Sequence, residues 1–303
     1  QAATEYQQSV FGNDGVMLVN IILALVMFGV ALDIKPRMLK EIVKKPKSIV
    51  VGIILQWVVL PALTFGVAIA LNPLITPMIA LGMILVASCP GGNISNFMSS
   101  LSRGNVELSV SMTAITTALA PVATPFNFFL WGSLYSHIIS IKGDIPMLVI
   151  PFFPMLWQIL LLLGVPIVLG LLFSRRFPNA TKKITKPAQV ISILLFMGMV
   201  VVSFAQNFQL FLDNIFYVFF IVMLHNACAL ATGYFGSRLA KLPEPDRRSL
   251  TVETGIQNSG LGLVLLFNAA IFPPEMWHGQ YGGMLFITAW WGIWHIISGL
   301  TVS

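Results

Sequence analysis

Nine apolar runs divide this chain, and each is long enough to cross a bilayer, which takes about 20 helical residues. Backbone N–H and C=O groups in the bilayer core must be paired within the protein, so such runs fold as helices. The predicted spans are residues 16–32, 48–71, 76–101, 106–134, 146–173, 188–206, 214–240, 250–272 and 279–302. Charged residues make up only 9% of positions, against about 25% in soluble domains. The sequence therefore predicts an all-α polytopic membrane protein, with residues 1–303 forming one membrane domain.

Basic residues are distributed unequally between the loops that join these spans. With nine spans, sixteen of the seventeen Lys and Arg residues fall on one side of the membrane, and only Lys142 falls on the other. Cytoplasmic loops are enriched in Lys and Arg, so we expect the N-terminus outside and the C-terminus in the cytoplasm. This asymmetry accounts for the net charge of +6 without nucleic acid as a partner.

Two of the nine spans carry residues that interrupt a helix. The third contains Cys-Pro-Gly-Gly-Asn-Ile-Ser-Asn at 89–96, and the eighth contains Glu-Thr-Gly-Ile-Gln-Asn-Ser-Gly at 253–260. Proline removes a backbone donor, and glycine weakens a helix. The two spans lie five apart, so they are equivalent if the chain is an inverted repeat of five helices with the first helix of repeat one absent. Paired interrupted spans of this kind are typical of secondary transporters and mark their binding site.

Glu253 lies well inside an apolar span, where an ionised side chain costs several kcal/mol and is functional by default. No basic residue is expected at its depth, which disfavours a structural salt bridge; a protonated, hydrogen-bonded acid is the remaining structural alternative. Gln257 follows four residues later and shares its face while the segment is helical. We therefore interpret Glu253 as part of a cation site.

Oxygen atoms suited to a hard cation surround both interruptions. Side-chain oxygens come from Gln56, Asn93, Ser95, Asn96, Ser109, Thr113, Glu253, Gln257 and Asn258, and the interrupted helices free backbone carbonyls as well. Two alternatives stay open, since Ser and Thr often bond to their own helix and a lone Gln such as Gln56 can join helices. A half-helix that begins after Gly92 would direct its positive dipole end at an anion. The pattern predicts sodium-dependent transport of an organic anion.

Other functional classes are weaker interpretations of the same residues. An intramembrane enzyme needs a catalytic pair or triad, and only one acid is expected at depth. A channel remains an alternative that single-channel currents would reveal. His295 follows a tryptophan cluster and either lines the cavity or lies in an interfacial belt, whereas His225 fits interhelical hydrogen bonding.

The strings at 89–96, 103–110, 224–226 and 253–261 resemble the bile acid:sodium symporter family, including its bacterial members, as do 27–36 and Trp294-His295. The resemblance extends from Met27 to the C-terminus and implies a bacterial inner-membrane location. It implies a panel domain from spans 16–32, 146–173 and 188–206. The other six spans would form a core domain in which the two broken helices cross.

The resemblance also assigns residues to two sodium sites and one substrate site. The first sodium site would use Ser95, Asn96, Ser109, Thr113 and Glu253. The second would use Gln56, Glu253, Gln257 and the backbone carbonyls of Thr254 and Ile256. Asn93, Asn258 and His295 would contact the substrate, a bile-acid-like anion or, alternatively, a small carboxylate such as pantoate. The oligomeric state stays open.

Overall fold

The described part of the chain is helical apart from turns and short links. The computed structural model describes residues 46–92, 94–141, 150, 152–206, 208–268, 271–272 and 282–303, together with eight positions between 21 and 32. Five described helices are long and apolar enough to cross a membrane: Pro46–Leu71, Val106–Ile141, Leu156–Arg176, Ile215–Leu239 and Gly282–Val302. The protein is therefore an integral, polytopic membrane protein. The count of nine spans and the inverted repeat stay predictions, because most of span 16–32 lies outside the described residues.

Ten helical elements follow one another from residue 46 onwards. They are α1 (Pro46–Leu71), α2 (Pro77–Ala87), α3 (Ile94–Leu101), α4 (Val106–Ile141), α5 (152–176), α6 (Pro178–Gln206), α7 (Phe208–Leu239), α8 (Glu244–Gly255), α9 (Ser259–Phe267) and α10 (Gly282–Val302). Each element from α1 to α10 overlaps a span predicted from the sequence. Two predicted spans are each divided into a pair of short helices, α2 with α3 and α8 with α9.

Proline shapes two long helices without ending them. A π-helical turn at Leu55–Val59 immediately precedes Pro61 in α1, and another at Leu160–Gly164 precedes Pro166 in α5. A proline ring clashes with the carbonyl four residues earlier in a regular α-helix, and the wider turn relieves that clash. The first of these turns contains Gln56, so the local distortion lies at one of the predicted ligands.

The two interrupted helices meet through their links. Gly92 N donates to Ile256 O at 2.7 Å, and Asn258 N donates to Pro90 O at 2.8 Å, which forms an antiparallel bridge between Gly91 and Gln257. Backbone groups freed by the interruptions thus satisfy one another, as buried backbone groups must. We call the chain segments 88–92 and 256–258 the crossover.

The crossover is enclosed by helices from both halves of the chain. Helix α2 is buried from Met78 to Ala87 and packs against α1 and α10, while α8 packs against α3, α4 and α7. Helix α5 packs against α4, and a Cβ added to Gly170 of α5 would lie 2.6 Å from Ala31 Cβ. Helix α6 contacts its chain neighbours α5 and α7. The division into panel and core domains stays a prediction.

Several helices extend beyond the apolar runs from which they were predicted. Helix α6 begins at Pro178 instead of residue 188, α8 begins at Glu244 instead of 250, and α4 continues to Ile141 instead of ending at 134. The predicted boundaries were wrong at these places because polar residues form the terminal turns. Pro178 and Pro245 also suit a first helical turn, where a missing N–H leaves no bond unmade.

Candidate functional site

Glu253 is the centre of a buried hydrogen-bonded cluster beside the crossover. Its carboxylate accepts from Ser95 Oγ at 2.5 Å and Ser109 Oγ at 2.9 Å on Oε2, and from Thr113 Oγ1 at 2.6 Å on Oε1. Glu253 is 1% exposed and lies two residues before the end of α8. Three helices, α3, α4 and α8, therefore each contribute to one polar centre.

Asn96 completes this carboxylate cluster from α3. Its Oδ1 lies 2.9 Å from Ser109 Oγ and 3.2 Å from Thr113 Oγ1, so it shares the single proton of each hydroxyl with Glu253. The carboxylate cluster thus consists of Ser95, Asn96, Ser109, Thr113 and Glu253, the five residues expected at the first sodium site. Its oxygen atoms suit a hard monovalent cation, and each hydroxyl has lone pairs that it can turn toward an ion.

Glycine at position 91 is what allows the carboxylate to lie against the crossover backbone. A Cβ added to Gly91 would lie 2.5 Å from Glu253 Oε1, closer than non-bonded atoms approach. A Cβ at Gly92 would lie 3.1 Å from Gln257 O. The two adjacent glycines of the first interruption thus allow the second interrupted helix to approach closely.

A second cluster, built on amides, also adjoins the crossover. Gln56 Nε2 donates to Gln257 Oε1 at 2.7 Å and to Cys89 O at 2.9 Å. Gln257 Nε2 donates to Thr254 O at 2.6 Å. We call Gln56, Gln257, Cys89 O and Thr254 O the amide cluster. Three of the groups expected at the second sodium site lie together here, and the cluster is uncharged.

The other two groups expected at the second site bond elsewhere. The carbonyl of Ile256 accepts the N–H of Gly92 at 2.7 Å, although a carbonyl oxygen retains a second lone pair. Glu253 directs its carboxylate to the hydroxyls of the carboxylate cluster. Helix α8 ends at Gly255, so Glu253 and Gln257 do not share a helical face and instead serve separate clusters.

The three residues expected to contact substrate differ in what the structure describes. Asn93 lies outside the described residues. Asn258 caps α9, because its Oδ1 accepts from Leu261 N at 3.0 Å, and this leaves the side-chain NH₂ to meet a ligand. His295 is 7% exposed, and its Nδ1 has no hydrogen-bond partner among the described residues.

Helix α10 presents His295 on the face that touches the crossover. Gly292 and Gly299 lie three residues before and four residues after His295, so the three share one face. A Cβ at Gly292 would lie 2.9 Å from Ser259 Oγ, and one at Gly299 would lie 2.8 Å from Ile256 Cδ1. His295 therefore lies beside the second interruption.

Two neighbouring residues of α7 bond to other helices, as the sequence predicted for His225. Asn226 Nδ2 donates to Gly255 O at 2.7 Å, which satisfies a carbonyl at the end of α8. His225 Nε2 lies 2.8 Å from Thr64 Oγ1, and its ring lies 4.5 Å from that of Trp291. Their polarity within an apolar helix was the available signal, but their partners lie in remote segments.

The charge of Glu253 has no cationic partner in the described part of the chain. Hydroxyl donors are the groups that surround it, and no Lys or Arg among the described residues forms an ion pair with it. Hydroxyl dipoles compensate only part of the cost of burying a carboxylate, which is largest without a counter-charge. A small cation bound among these oxygens would supply that counter-charge.

Comparison with known proteins places this arrangement in context. The profile of the Sodium Bile acid symporter family matches residues 20–214. An uncharacterized sodium-dependent transporter, YocS, of Bacillus subtilis (strain 168) is 32% identical over 88% of this chain and 81% of its own length. The probable sodium/metabolite cotransporter BASS2, chloroplastic, of Oryza sativa subsp. japonica is 31% identical over 75% of this chain, which spans only 51% of that protein. The ileal sodium/bile acid cotransporter of Homo sapiens is 27% identical over 80% of this chain and 67% of its own length.

Proposed function

The chain belongs to the sodium bile acid symporter family, a family of sodium-dependent transporters, and from this premise we propose that it imports an organic anion by sodium-coupled secondary symport. The observation that carries the proposal is the buried carboxylate of Glu253, surrounded by hydroxyl and amide oxygens at the crossing of two broken helices. A transporter needs such a site at membrane depth, where a partly unwound backbone lines a cavity.

Two sodium ions are co-transported with the anion. The first binds the carboxylate cluster, where Ser95, Ser109 and Thr113 rotate their hydroxyl hydrogens away from Glu253 and offer lone pairs. The second binds Gln56, Gln257 and the carbonyls of Thr254 and Ile256, with Glu253 supplying negative charge. The proposal for the second ion requires the two glutamine side chains to exchange their mutual hydrogen bond for ion contacts.

The anion binds beside the crossover, at Asn93, Asn258 and His295. The groups that support this placement are the amide of Asn258 and Nδ1 of His295, which has no hydrogen-bond partner within the described ranges. Helix α3 begins at Ile94, and its first N–H groups form the positive end of a helix dipole. Sodium bound at the neighbouring clusters raises the local positive potential, so anion and cation binding are coupled.

Alternating access follows from movement of a panel domain against a core domain. The panel comprises spans 16–32, 146–173 and 188–206, and the core comprises spans 48–71, 76–101, 106–134, 214–240, 250–272 and 279–302. Nine spans put the two termini on opposite sides of a bacterial inner membrane, and the basic loops favour a cytoplasmic C-terminus and an outside N-terminus. The contact of Gly170 in α5 with Ala31 supports a panel that includes the first span.

Two cargo classes compete within this proposal. The human relative is named an ileal sodium/bile acid cotransporter, which favours a bile-acid-like anion. The rice relative is named a probable sodium/metabolite cotransporter, which favours a small carboxylate such as pantoate. We place the bile-acid-like cargo first and the small carboxylate second. Both classes require the same sodium chemistry, and transport makes an enzymatic role unnecessary.

Uptake into proteoliposomes tests the proposal. The reconstituted protein is given an inward sodium gradient or an equal potassium gradient, with labelled taurocholate and labelled pantoate tested separately. We expect accumulation of one anion with sodium only, and we expect Glu253→Gln to abolish it. Accumulation that is equal in potassium would contradict sodium coupling, whereas accumulation of pantoate alone would reverse the order of the two cargoes.

A further inference from the structure

A second buried carboxylate lies on the same helix as Glu253, away from the crossover. Asp246 in the first turn of α8 is 1% exposed. Its Oδ2 accepts from Ser48 Oγ of α1 at 2.7 Å, and its Oδ1 accepts from Asn105 Nδ2 at 2.7 Å. We call Ser48, Asn105 and Asp246 the clasp, because it joins α1, the loop between α3 and α4, and α8.

The loop between α3 and α4 is held to α8 by further bonds around the clasp. Asn105 N donates to Pro245 O at 3.0 Å, and Ser249 Oγ donates to Asn105 O at 2.9 Å. Arg248 Nη1 donates to Ser102 O at 3.0 Å. The start of α8 is thereby fixed to the loop that ends α3 and begins α4, the two helices that carry the hydroxyl ligands.

The clasp and the carboxylate cluster lie along the same face of α8 and at the same end of α4. Asp246, Ser249 and Glu253 follow at intervals of three and four residues on α8, and all are buried. On the other side, Asn105 caps α4 through Leu108 N and stands four residues before Ser109. Glu253 lies seven residues after Asp246, which is a rise of about 10 Å along the helix. The position of Asp246 relative to Asn105 thus sets how far along its axis α8 is placed, and therefore how Glu253 meets Ser109.

Helix α8 needs such an anchor because it is short and ends in an interruption. It has 12 residues, and an isolated helix of roughly that length is only marginally stable. Ion ligands must be held to within about 0.5 Å, whereas a slip of one residue moves a helix by about 1.5 Å along its axis. Groups that orient ion ligands from outside typically change ion affinity by about 10- to 100-fold when removed.

From these contacts we infer that Asp246 is a positioning residue for the first sodium site, through which the clasp holds α8 in register with α3 and α4. The inference rests on the proposed function, because it assigns a role toward sodium bound at Glu253. Asp246 does not itself touch the ion. Its removal lets α8 shift or rotate, so that Glu253 loses its alignment with Ser95, Ser109 and Thr113 while the ligands themselves remain.

Thermal unfolding of the purified protein, measured across a sodium titration at constant ionic strength with potassium, tests this role. For Asp246→Ala we expect the half-saturating sodium concentration to rise about 10-fold, with the full stabilisation recovered at saturating sodium. Asp246→Asn keeps one acceptor oxygen and should be intermediate. Glu107→Gln is the matched control, because Glu107 is an exposed acid two residues from Asn105 and its change removes one negative charge.

The result that would overturn the inference is a lower melting temperature in both salts with an unchanged half-saturating sodium concentration, which indicates a purely structural clasp. If Asp246→Ala is not recovered folded, Ser48→Ala and Asp246→Asn decide the matter. Each should raise half-saturating sodium by a smaller factor, and no rise in either overturns the role. A wild-type protein that sodium does not stabilise contradicts the proposed function itself, and is thereby distinguishable from failure of the clasp.

Discussion

The carboxylate cluster and the amide cluster both adjoin one crossover but satisfy their polar groups differently. In the carboxylate cluster three hydroxyls donate to Glu253, whose negative charge remains without a cationic partner in the described part of the chain. In the amide cluster Gln56 and Gln257 bond to each other and to two carbonyls, so the group is neutral. An ionised Glu253 therefore needs a cation for charge balance, whereas the amide cluster does not.

This difference predicts unequal sodium affinities. Binding at the carboxylate cluster adds a counter-charge and requires only that hydroxyls rotate. Binding at the amide cluster breaks the bond between Gln56 and Gln257, which costs about 1 kcal/mol for a neutral pair. We expect the first ion to bind more tightly and the second to depend on substrate or on the first ion.

The largest effect is expected from Glu253→Gln, which keeps the shape of the side chain and removes its charge. Loss of one partner from a buried ion pair costs about 3 kcal/mol or more, so sodium affinity should fall by more than about 100-fold. The sodium dependence of thermal unfolding measures this loss. Glu107 is an exposed carboxylate in the first turn of α4, and Glu107→Gln should leave the sodium dependence of unfolding unchanged.

A smaller but clear loss is expected from Gly91→Ala. The added Cβ would lie 2.5 Å from Glu253 Oε1, so the carboxylate must move away from its three donors. Sodium affinity should fall by roughly 10- to 100-fold, measured by the same titration. Gly66→Ala is the control, because nothing lies within 4 Å of the added atom there. If Gly91→Ala and Gly66→Ala had the same sodium affinity, the carboxylate would not depend on the close approach at Gly91.

Thr113→Val tests one hydroxyl of the carboxylate cluster at constant side-chain shape. Thr113 Oγ1 lies 2.6 Å from Glu253 Oε1, and loss of this oxygen as a sodium ligand should lower sodium affinity about 10-fold, equivalent to about 1.4 kcal/mol. Thr113→Ser should restore most of this. Thr116→Val is the control on the same helix, since Thr116 bonds to the carbonyl of Met112. The variants are compared by measuring uptake at a fixed substrate concentration across a range of sodium concentrations.

The smallest effect is expected in the amide cluster. Gln257→Ala removes a neutral ligand, so half-saturating sodium should rise by only about fivefold, equivalent to about 1 kcal/mol. Loss of the second ion should also lower the Hill coefficient of sodium-dependent uptake. Gln158→Ala in α5, away from the crossover, is the control. If Gln257→Ala lowered sodium affinity as much as Glu253→Gln does, charge would not explain the difference between the two clusters.

Sequence reasoning located the helix breaks, and the family resemblance grouped the residues of the carboxylate cluster. Polar residues within apolar runs are conspicuous, and Pro90, Gly91 and Gly92 weaken a helix by local rules. The break after Gly255 follows in the same way. Their roles toward sodium stay a prediction, but the five residues do lie in one hydrogen-bonded group.

Contacts between remote segments could not be derived from those local rules. The bridge of Gly91 with Gln257, the pairing of Gln56 with Gln257 and the clasp at Asp246 each join segments more than a hundred residues apart. Asp246 was also concealed by its position among charged residues at the start of α8, where an acid usually interacts with the helix dipole. Only the packing of α8 against α4 shows that it is buried.

Binding of radioactive sodium to the purified protein at equilibrium tests the central claim most directly. We expect saturable binding to the wild-type protein that unlabelled sodium displaces and potassium does not, and we expect Glu253→Gln to lose the tighter component while remaining folded. Undiminished saturable binding by folded Glu253→Gln, or no saturable binding by the wild-type protein, would contradict a sodium site at the crossover.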